Sequence, residues 1–413
     1  MRILSIETSC DETALALLSC EGDVQAPACS VVSTALYSQA KDHAVYGGVF
    51  PMLARREHGK NLVPLLKKIV TETQNTVESP VSLDEETKEK VRGIFLKEKD
   101  LGEQFLEYIP TIPKPDIDAI AVTEGPGLEP ALWVGITFAK ALSYIWNIPL
   151  IPVNHMEGHF LSVLAQEKNQ ALGGPPTNWR SDLPQIEYPA IALLVSGGHT
   201  ELVYAPSEGV YTLIGETRDD AVGEAFDKVA RILGLPYPGG PQISRLAKES
   251  RESGEEIPKE YVLPRPMIHD ESFDFSYAGL KTAVLYLTRR IGELGDTDKR
   301  LIAREFEEAA IDVLISKTKR ALEEHETHTL IVGGGVIANE YLRGEIQKLS
   351  SDFPSLSLLL PTRDLATDNA VMIGIAGYAH SVKNPKEFSI YHPEKDTLSA
   401  RGTLRLSQKT EPK

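Results

Sequence analysis

The strongest constraint on the fold is a layout that occurs twice. Residues 2–7, RILSIE, form a short β-type run, followed by the polar turn TSCDET and the apolar run ALALLSC. The pattern predicts a strand, a tight turn lined by Thr8, Ser9, Asp11 and Glu12, and a paired strand. Residues 190–205, AIALLVSGGHTELVYA, repeat it as apolar strand, small-residue turn and apolar strand. A recurrence so distant predicts two related lobes, and 413 residues exceed the roughly 100–200 of a usual domain.

The stretches between carry helical and strand signals in alternation. Residues 118–147 read as a strand ending at Thr123, a glycine-rich loop and a helix with apolar spacing through Ala139, Leu142 and Ile145. IPLIPVN is the next strand, and HMEGHFLSVLAQEK a helix with Asn154 as its N-cap. Residues 219–235 and 298–325 have helical periodicity, TLIVGGGVIANEYLRGEIQKL reads as strand, glycine turn and helix, LSLLLPT as a strand, and DNAVMIGIAGYAHS as a final helix. Residues 72–114, charged and ended by prolines, are expected to form a surface insertion with helical parts, and 383–413 a polar tail packed by a few apolar residues.

Composition narrows the function classes. The net charge of −16 argues against a general nucleic-acid coat, because non-specific affinity comes from Lys and Arg neutralising phosphates. Any RNA contact must therefore come from a local basic patch or a partner; Arg55, Arg56, His58 and Lys60 form one candidate stretch, and Lys281 with Arg289 and Arg290 another. Cys10, Cys20 and Cys29 are odd in number and form no CxxC, so the chain reads as reduced and cytoplasmic rather than disulfide-framed. No stretch reaches the roughly 18 apolar residues of a membrane span, and the first dozen residues do not fit a signal peptide.

HMEGH places His155 and His159 one helical turn apart. A zinc protease would carry HExxH, with the Glu beside the metal as general base. Here Glu157 lies about 200° round the helix from His155, so it points away and the protease reading loses its base. The histidine pair is half of a metal site or a solvated helix face. Asp368, just before the last helix, is a third ligand or an N-cap.

Three glycine turns, SGGHT (196–200), PGG (238–240) and GGG (333–335), let backbone N–H groups approach a phosphate or an adenosine without Cβ obstruction. Together, in a two-lobed α/β chain, they favour a nucleotide in the cleft between lobes, although neither a P-loop nor GxGxxG is present. Asp220, Glu224 and Asp227 fall on one helical face, which solvent would explain in most helices, but Asp227 lies among small and apolar residues where it can accept ribose hydroxyls.

In order along the chain, SIETSCDET, HAxYGGVxPxLAxRxH, GPGL, HMEGH, LLVSGGHT, DDAxGEAFDKxAxxLGLxYPGGP, FDFSYAGLKT, VGGGVxAN and TDNAxMI resemble the TsaD family, the tRNA adenosine N6-threonylcarbamoyltransferases. These motifs spread over residues 3–377 and leave out the insertion and the tail. The resemblance implies the actin-like ASKHA fold, two ribonuclease-H-like lobes about a central cleft, with 1–153 and 370–413 in the N-terminal lobe and 154–369 in the C-terminal one. It implies transfer of threonylcarbamoyl from threonylcarbamoyl-AMP to the exocyclic amine of the adenosine next to the anticodon in tRNAs reading ANN codons.

By the same resemblance His155, His159 and Asp368 are metal ligands for one divalent ion, Fe²⁺ before Zn²⁺. Leu194, Val195, Ser196, Gly197, Gly198, Asp227, Gly240 and Asn339 form the adenylate pocket, which ATP or ADP can share, and Asp11, Glu12 and His199 line the reaction cleft. Either Asp11 or Glu12 takes the proton as the new bond forms. The implied partners are tRNA, a TsaB-like paralogue, a TsaE-like ATPase and the synthase that makes the adenylate; the start lacks a transit peptide, so the bacterial arrangement is expected. An ASKHA-type ATPase or a non-catalytic scaffold are the rival readings. The sequence departs from the family's pattern in the 72–114 insertion, in Ser244 where some relatives carry Asp, and in Asn154 before HMEGH where a second His is common.

Overall fold

A computed structural model describes residues 1–22, 28–73, 76–165, 185–384 and 388–407. The chain divides into two compact units, one of Met1–Gln39, Val49–Gln185 and Asp368–Lys413, the other of Ala40–Gly48 and Ile186–Thr367. The short helix α1 (Ala40–Ala44) therefore goes with the second unit.

In the first unit, strands β1 (Arg2–Glu7) and β2 (Glu12–Glu21) pair antiparallel, as expected from the opening layout, and β3 (Ala28–Ser38), which the sequence reading did not single out, extends them into a meander. A small ribbon of β4 (Thr76–Pro80) and β5 (Pro113–Pro115) stands apart. β6 (Ala119–Gly125) and β7 (Leu150–Asn154) add parallel strands, giving the order β3-β2-β1-β6-β7. β1 and β6 are buried almost throughout, which explains their unbroken apolar runs: a parallel centre needs both faces covered.

Helices α2 (Pro51–Thr73), α3 (Glu85–Ile94), α4 (Lys99–Tyr108), α5 (Glu129–Trp146) and α6 (His155–Leu161) belong to this unit, together with the last helix of the chain, Ala370–Lys383. That last helix lies so close to the sheet that a Cβ on Gly374 would stand 2.5 Å from Leu18, and one on Gly377 would stand 2.7 Å from Ala121.

Residues 72–114 differ from expectation. Far from lying on the surface alone, α3, α4 and their flanks bury Val91, Phe95, Leu101 and Phe105, and the Phe105 ring sits 5.2 Å from Phe95 and 5.8 Å edge-on from Phe138 of α5. The reduced-cysteine reading also needs correction: Cys20 and Cys29 face each other in the β2–β3 register and are joined by a disulfide, leaving Cys10 free.

The second unit contains β8 (Ala190–Val195), β9 (Thr200–Ser207), β10 (Val210–Glu216), β11 (Thr329–Gly333) and β12 (Ser357–Leu359) in the order β10-β9-β8-β11-β12. β8, β9 and β10 pair antiparallel and β8, β11 and β12 parallel. Strand for strand this is the arrangement of the first sheet, so the twofold layout of the sequence is a twofold layout of sheets. Helices α7 (Val222–Ile232), α8 (Gly239–Ser253), α9 (Ala278–Ile291), α10 (Asp296–Glu324) and α11 (Glu340–Ser351) complete the unit, and α12 is the final helix of the first. α6, read from sequence as the start of the second lobe, lies in the first unit because it packs on α12: a Cβ on Gly158 would come within 3.0 Å of Ile373 and 3.2 Å of Met372.

Candidate metal centre and nucleotide-binding turns

HMEGH forms α6 because Asn154 caps it, its side-chain oxygen accepting from the N–H groups of Met156 (2.9 Å) and Glu157 (3.3 Å). The histidines then stack one turn apart, their rings edge to face at 4.6 Å. Asp368 precedes α12, which Asn369 caps through the N–H of Met372, so the aspartate is released from the N-cap role. One ligand atom from each of His155, His159 and Asp368 lies within 4.8 Å of the others.

Two donor spacings come close to those of a metal site. Metal–ligand bonds of about 2.0–2.1 Å at tetrahedral to octahedral angles separate neighbouring donors by about 2.8–3.4 Å. Oδ1 of Asp368 lies 3.1 Å from His159 Nε2 and 3.5 Å from His155 Nε2. Two imidazoles and one carboxylate suit Zn²⁺ or Fe²⁺ rather than Mg²⁺ or Ca²⁺, which prefer oxygen.

Behind the ligands stands Glu7, a carboxylate buried at the end of β1. Its Oε2 lies 3.0 Å from His155 Nδ1 and accepts from the Thr123 hydroxyl at 2.7 Å, while Oε1 accepts from the N–H of Ser9. Metal-binding histidines commonly donate their second ring N–H to a carboxylate in this way, which fixes tautomer and orientation. Without a metal, burial would depress the His155 pKa, but Asp368 and Glu7 outweigh it and raise it well above the ordinary value. Burial holds His159 below its ordinary value, against its hydrogen bond to the Asp368 carboxylate. Burial would raise the Asp368 pKa, yet the charge of His155 carries it well down.

Glu157 points away from this centre, as expected. Its Oε2 lies 2.7 Å from His380 Nε2 on α12, so HMEGH contains no general base beside the ligands. Asp11 and Glu12 follow on the turn after β1, and Glu12 opens β2. Burial, then Asp11, then Asp368 raise the Glu12 pKa well above its ordinary value. Burial and then Asp11 do the same to the Cys10 thiol.

In the second unit, Ser196 ties the SGGHT turn: its N–H donates to the carbonyl of His199 (2.8 Å) and its hydroxyl accepts from the N–H groups of Gly198 (3.3 Å) and His199 (3.0 Å). Leu194 and Val195 point their side chains into the core, so they offer only backbone, while Gly197 and Gly198 are exposed, with open space where a Cβ would stand. A Cβ on Gly334, whose φ is +90°, would collide with the carbonyl of Val195, and one on Gly223 with that of Ser196. Two glycine turns therefore meet the start of α7 at the end of β8, where backbone N–H groups of a helix start favour an anion.

The remaining second-unit residues divide. Asp227 accepts from the N–H of Gly239 at 2.6 Å, tying α7 to the start of α8, and Gly240 beside it has open space at its Cβ position. Asn339 caps α11 through the N–H of Leu342 and donates to Ser244 (2.8 Å) and Glu307 (2.7 Å). The carboxylate face expected from 220, 224 and 227 does not stand as one group. Asp220 precedes the helix and pairs with Lys228 (2.6 Å) and Lys281 (3.1 Å), Glu224 pairs with Lys228 (2.9 Å), and Asp219 accepts from the first N–H groups at α9. Several residues of the basic stretches are likewise engaged: Arg55 with Glu98, Arg56 and Lys60 with Glu57, Arg290 with the carbonyl of Glu260, and His58 is buried.

The profile of the family described as TsaD, tRNA N6-adenosine threonylcarbamoyltransferase, matches residues 30–80 and 109–375. A protein of that name from Nitrosospira multiformis is 38% identical over 99% of each chain, and one from Chromobacterium violaceum 40% identical over 91% of this chain and 92% of its own.

The chain belongs to the TsaD family.

The unmatched segment 81–108 holds α3 and α4, so this TsaD-family chain carries there an addition built into the core of its first unit. Sequence reasoning missed Glu7. Its signal was a carboxylate closing a strand rich in Ile and Leu, where a buried glutamate is retained only against specific donors.

Proposed function

We propose that the chain transfers the threonylcarbamoyl group of threonylcarbamoyl-AMP to N6 of the adenosine next to the anticodon in tRNAs reading ANN codons, leaving AMP. Membership of the TsaD family supports the reaction, and the convergence of His155, His159 and Asp368, with Glu7 behind His155, is the observation that carries the metal-assisted form of it. A divalent ion held there, Fe²⁺ or Zn²⁺, supplies Lewis-acid polarisation of phosphate or carbonyl oxygens.

In this reading the chain's own residues bind, orient and move one proton. Backbone groups of Leu194 to Gly198, with Asp227, Gly240 and Asn339, hold the adenylate, and His199 lies on the same turn. The amine is a weak nucleophile, so positioning it against an already activated mixed anhydride supplies most of the rate. The N6–carbonyl bond forms, the bond from that carbonyl to the phosphate oxygen breaks, and the proton leaving N6 passes to Glu12 or Asp11. The fold fits this as the ASKHA arrangement of two ribonuclease-H-like lobes, given two sheets of one strand order. A TsaB-like paralogue, a TsaE-like ATPase and an adenylate-making synthase complete the proposed setting. That setting is cytoplasmic, where the Cys20–Cys29 pair would be open to reduction.

The test is single-turnover transfer of labelled threonylcarbamoyl from its adenylate to unmodified tRNA, with wild type beside His155→Ala and Asp11→Ala. Transfer by wild type, and failure by both folded variants, is the expected result. Label that never reaches tRNA, even with metal and partners, together with ATP turnover by the chain alone, would replace the transferase with an ATPase.

A further inference from the structure

His58 lies on α2 in the first unit, with none of its surface exposed. Its Nε2 is 3.1 Å from the carbonyl oxygen of Cys10. Its Nδ1 is 2.8 Å from the Thr13 hydroxyl and 3.3 Å from the Gln39 side-chain nitrogen. A carbonyl can only accept, so the ring proton sits on Nε2 and Nδ1 is the acceptor. The tautomer is thus set by its neighbours. The imidazole reaches the backbone just before Asp11 and the side chain just after Glu12, and it brackets the two carboxylates from both sides. Gln39 reinforces the bracket, its backbone N–H donating to the carbonyl of Asp11 at 3.0 Å.

We infer that His58 is a positioning residue for the transfer reaction, holding the Cys10–Thr13 turn so that the carboxylates of Asp11 and Glu12 are presented at a fixed place. The inference rests on the reading that one of those two takes the proton from N6. A buried ring that bonds both ends of a four-residue turn removes the freedom the turn would otherwise have. Misplacing a reacting group by about 1 Å lowers a rate on the order of 100-fold. His58 touches no substrate in this scheme, so its loss should change turnover rather than affinity.

The experiment measures kcat and KM for threonylcarbamoyl-AMP and tRNA with the full chain and whatever partners transfer requires. His58→Ala, His58→Gln and Thr13→Val are compared with Asp11→Ala and Glu12→Ala, and melting and metal content are checked throughout. Expected is a fall in kcat on the order of 100-fold for folded His58→Ala, with both KM values within about twofold of wild type and metal content unchanged. His58→Gln, whose amide can still donate to the Cys10 carbonyl, should recover most of that loss, and Thr13→Val should show a smaller fall in kcat alone. If Asp11→Ala or Glu12→Ala abolishes transfer while folded His58→Ala keeps kcat within about twofold, the positioning role is overturned and the base reading survives. If neither carboxylate variant slows transfer, the base reading fails, and the inference with it. Should His58→Ala not fold, Thr13→Val and His58→Gln decide: unchanged kcat in Thr13→Val together with no activity in folded His58→Gln would refute the bracket.

Discussion

Replacing Glu7 by glutamine tests the proposed metal centre through a group that is not one of its three candidate ligands. The two carboxylate oxygens have different partners: Oε1 accepts from the N–H of Ser9, and Oε2 faces both the Thr123 hydroxyl and His155 Nδ1. A backbone N–H can only donate, so the oxygen of a glutamine must stay beside Ser9 and its NH₂ must take the place of Oε2. The Thr123 hydroxyl can turn and accept. His155 Nδ1 then faces an NH₂ where it had a carboxylate and keeps the Ser9 hydroxyl, 3.2 Å away, as an acceptor in its place, which shifts the balance toward the tautomer protonated on Nε2, the nitrogen aimed at Asp368. Loss of such an outer partner typically lowers metal affinity 10–100-fold, or about 1.4–2.7 kcal/mol. Glu7→Gln is therefore expected to fold, and in competition with a chromophoric chelator to bind Zn²⁺ or Fe²⁺ at least tenfold more weakly than wild type. An affinity within twofold of wild type would refute the tautomer argument, whatever happened to activity.

Two further outcomes follow from the same structure. The Glu12 pKa is raised by burial and by Asp11, so if Glu12 is the base its carboxylate forms only at higher pH than an ordinary glutamate of 4.5; the transfer rate should fall on the acid side at a pH above that value, and Asp11→Asn, by removing one charge, should move the limb toward lower pH. A limb that stays in place would remove Glu12 from the base role. Phe105→Ala, in the segment the family profile does not match, should destabilise the first unit by about 3–5 kcal/mol in chemical denaturation, because it deletes a buried ring packed on Phe95 and Phe138. A change below about 1 kcal/mol would mean that α3 and α4 are an appendage after all.

The legible parts of this chain were those in which one residue pattern has one physical meaning. Strand-turn-strand alternation gave the first two strands of each meander, and the i, i+4 histidines behind a capping asparagine gave two of the three side chains that converge at the His155–His159–Asp368 cluster. Asp368 could not be separated from an N-cap by pattern, because whether Asp368 or Asn369 caps α12 is decided by one residue of backbone. Glu7 was hidden because a glutamate at the end of a strand looks like any surface position until its three donors are assembled from Ser9, Thr123 and α6. The α3–α4 segment was hidden by its charge: two ten-residue helices hold their core face on little more than Val91, Phe95, Leu101 and Phe105. Cys20 and Cys29 pair through strand register, which cysteine counting does not see. The Arg55–Glu98 pair was not legible because its counter-ion comes from a distant element.

The first unit is closed by residues that follow the whole of the second, and this sets a schedule for biosynthesis. Asp368 lies 209 residues after His159. At about 5–20 residues per second, a ribosome that has made both histidines needs roughly 10–40 s more before the carboxylate exists. Helix α12, which seals the first sheet at Gly374 and Gly377, follows later still. During that interval the nascent chain has two imidazoles without their third ligand, and an uncovered sheet face. The intervening segment can meanwhile fold on its own sheet. Assembly of the His155–His159–Asp368 cluster is therefore an event of the finished chain, and truncation just before Asp368 would leave most of the sequence without that cluster.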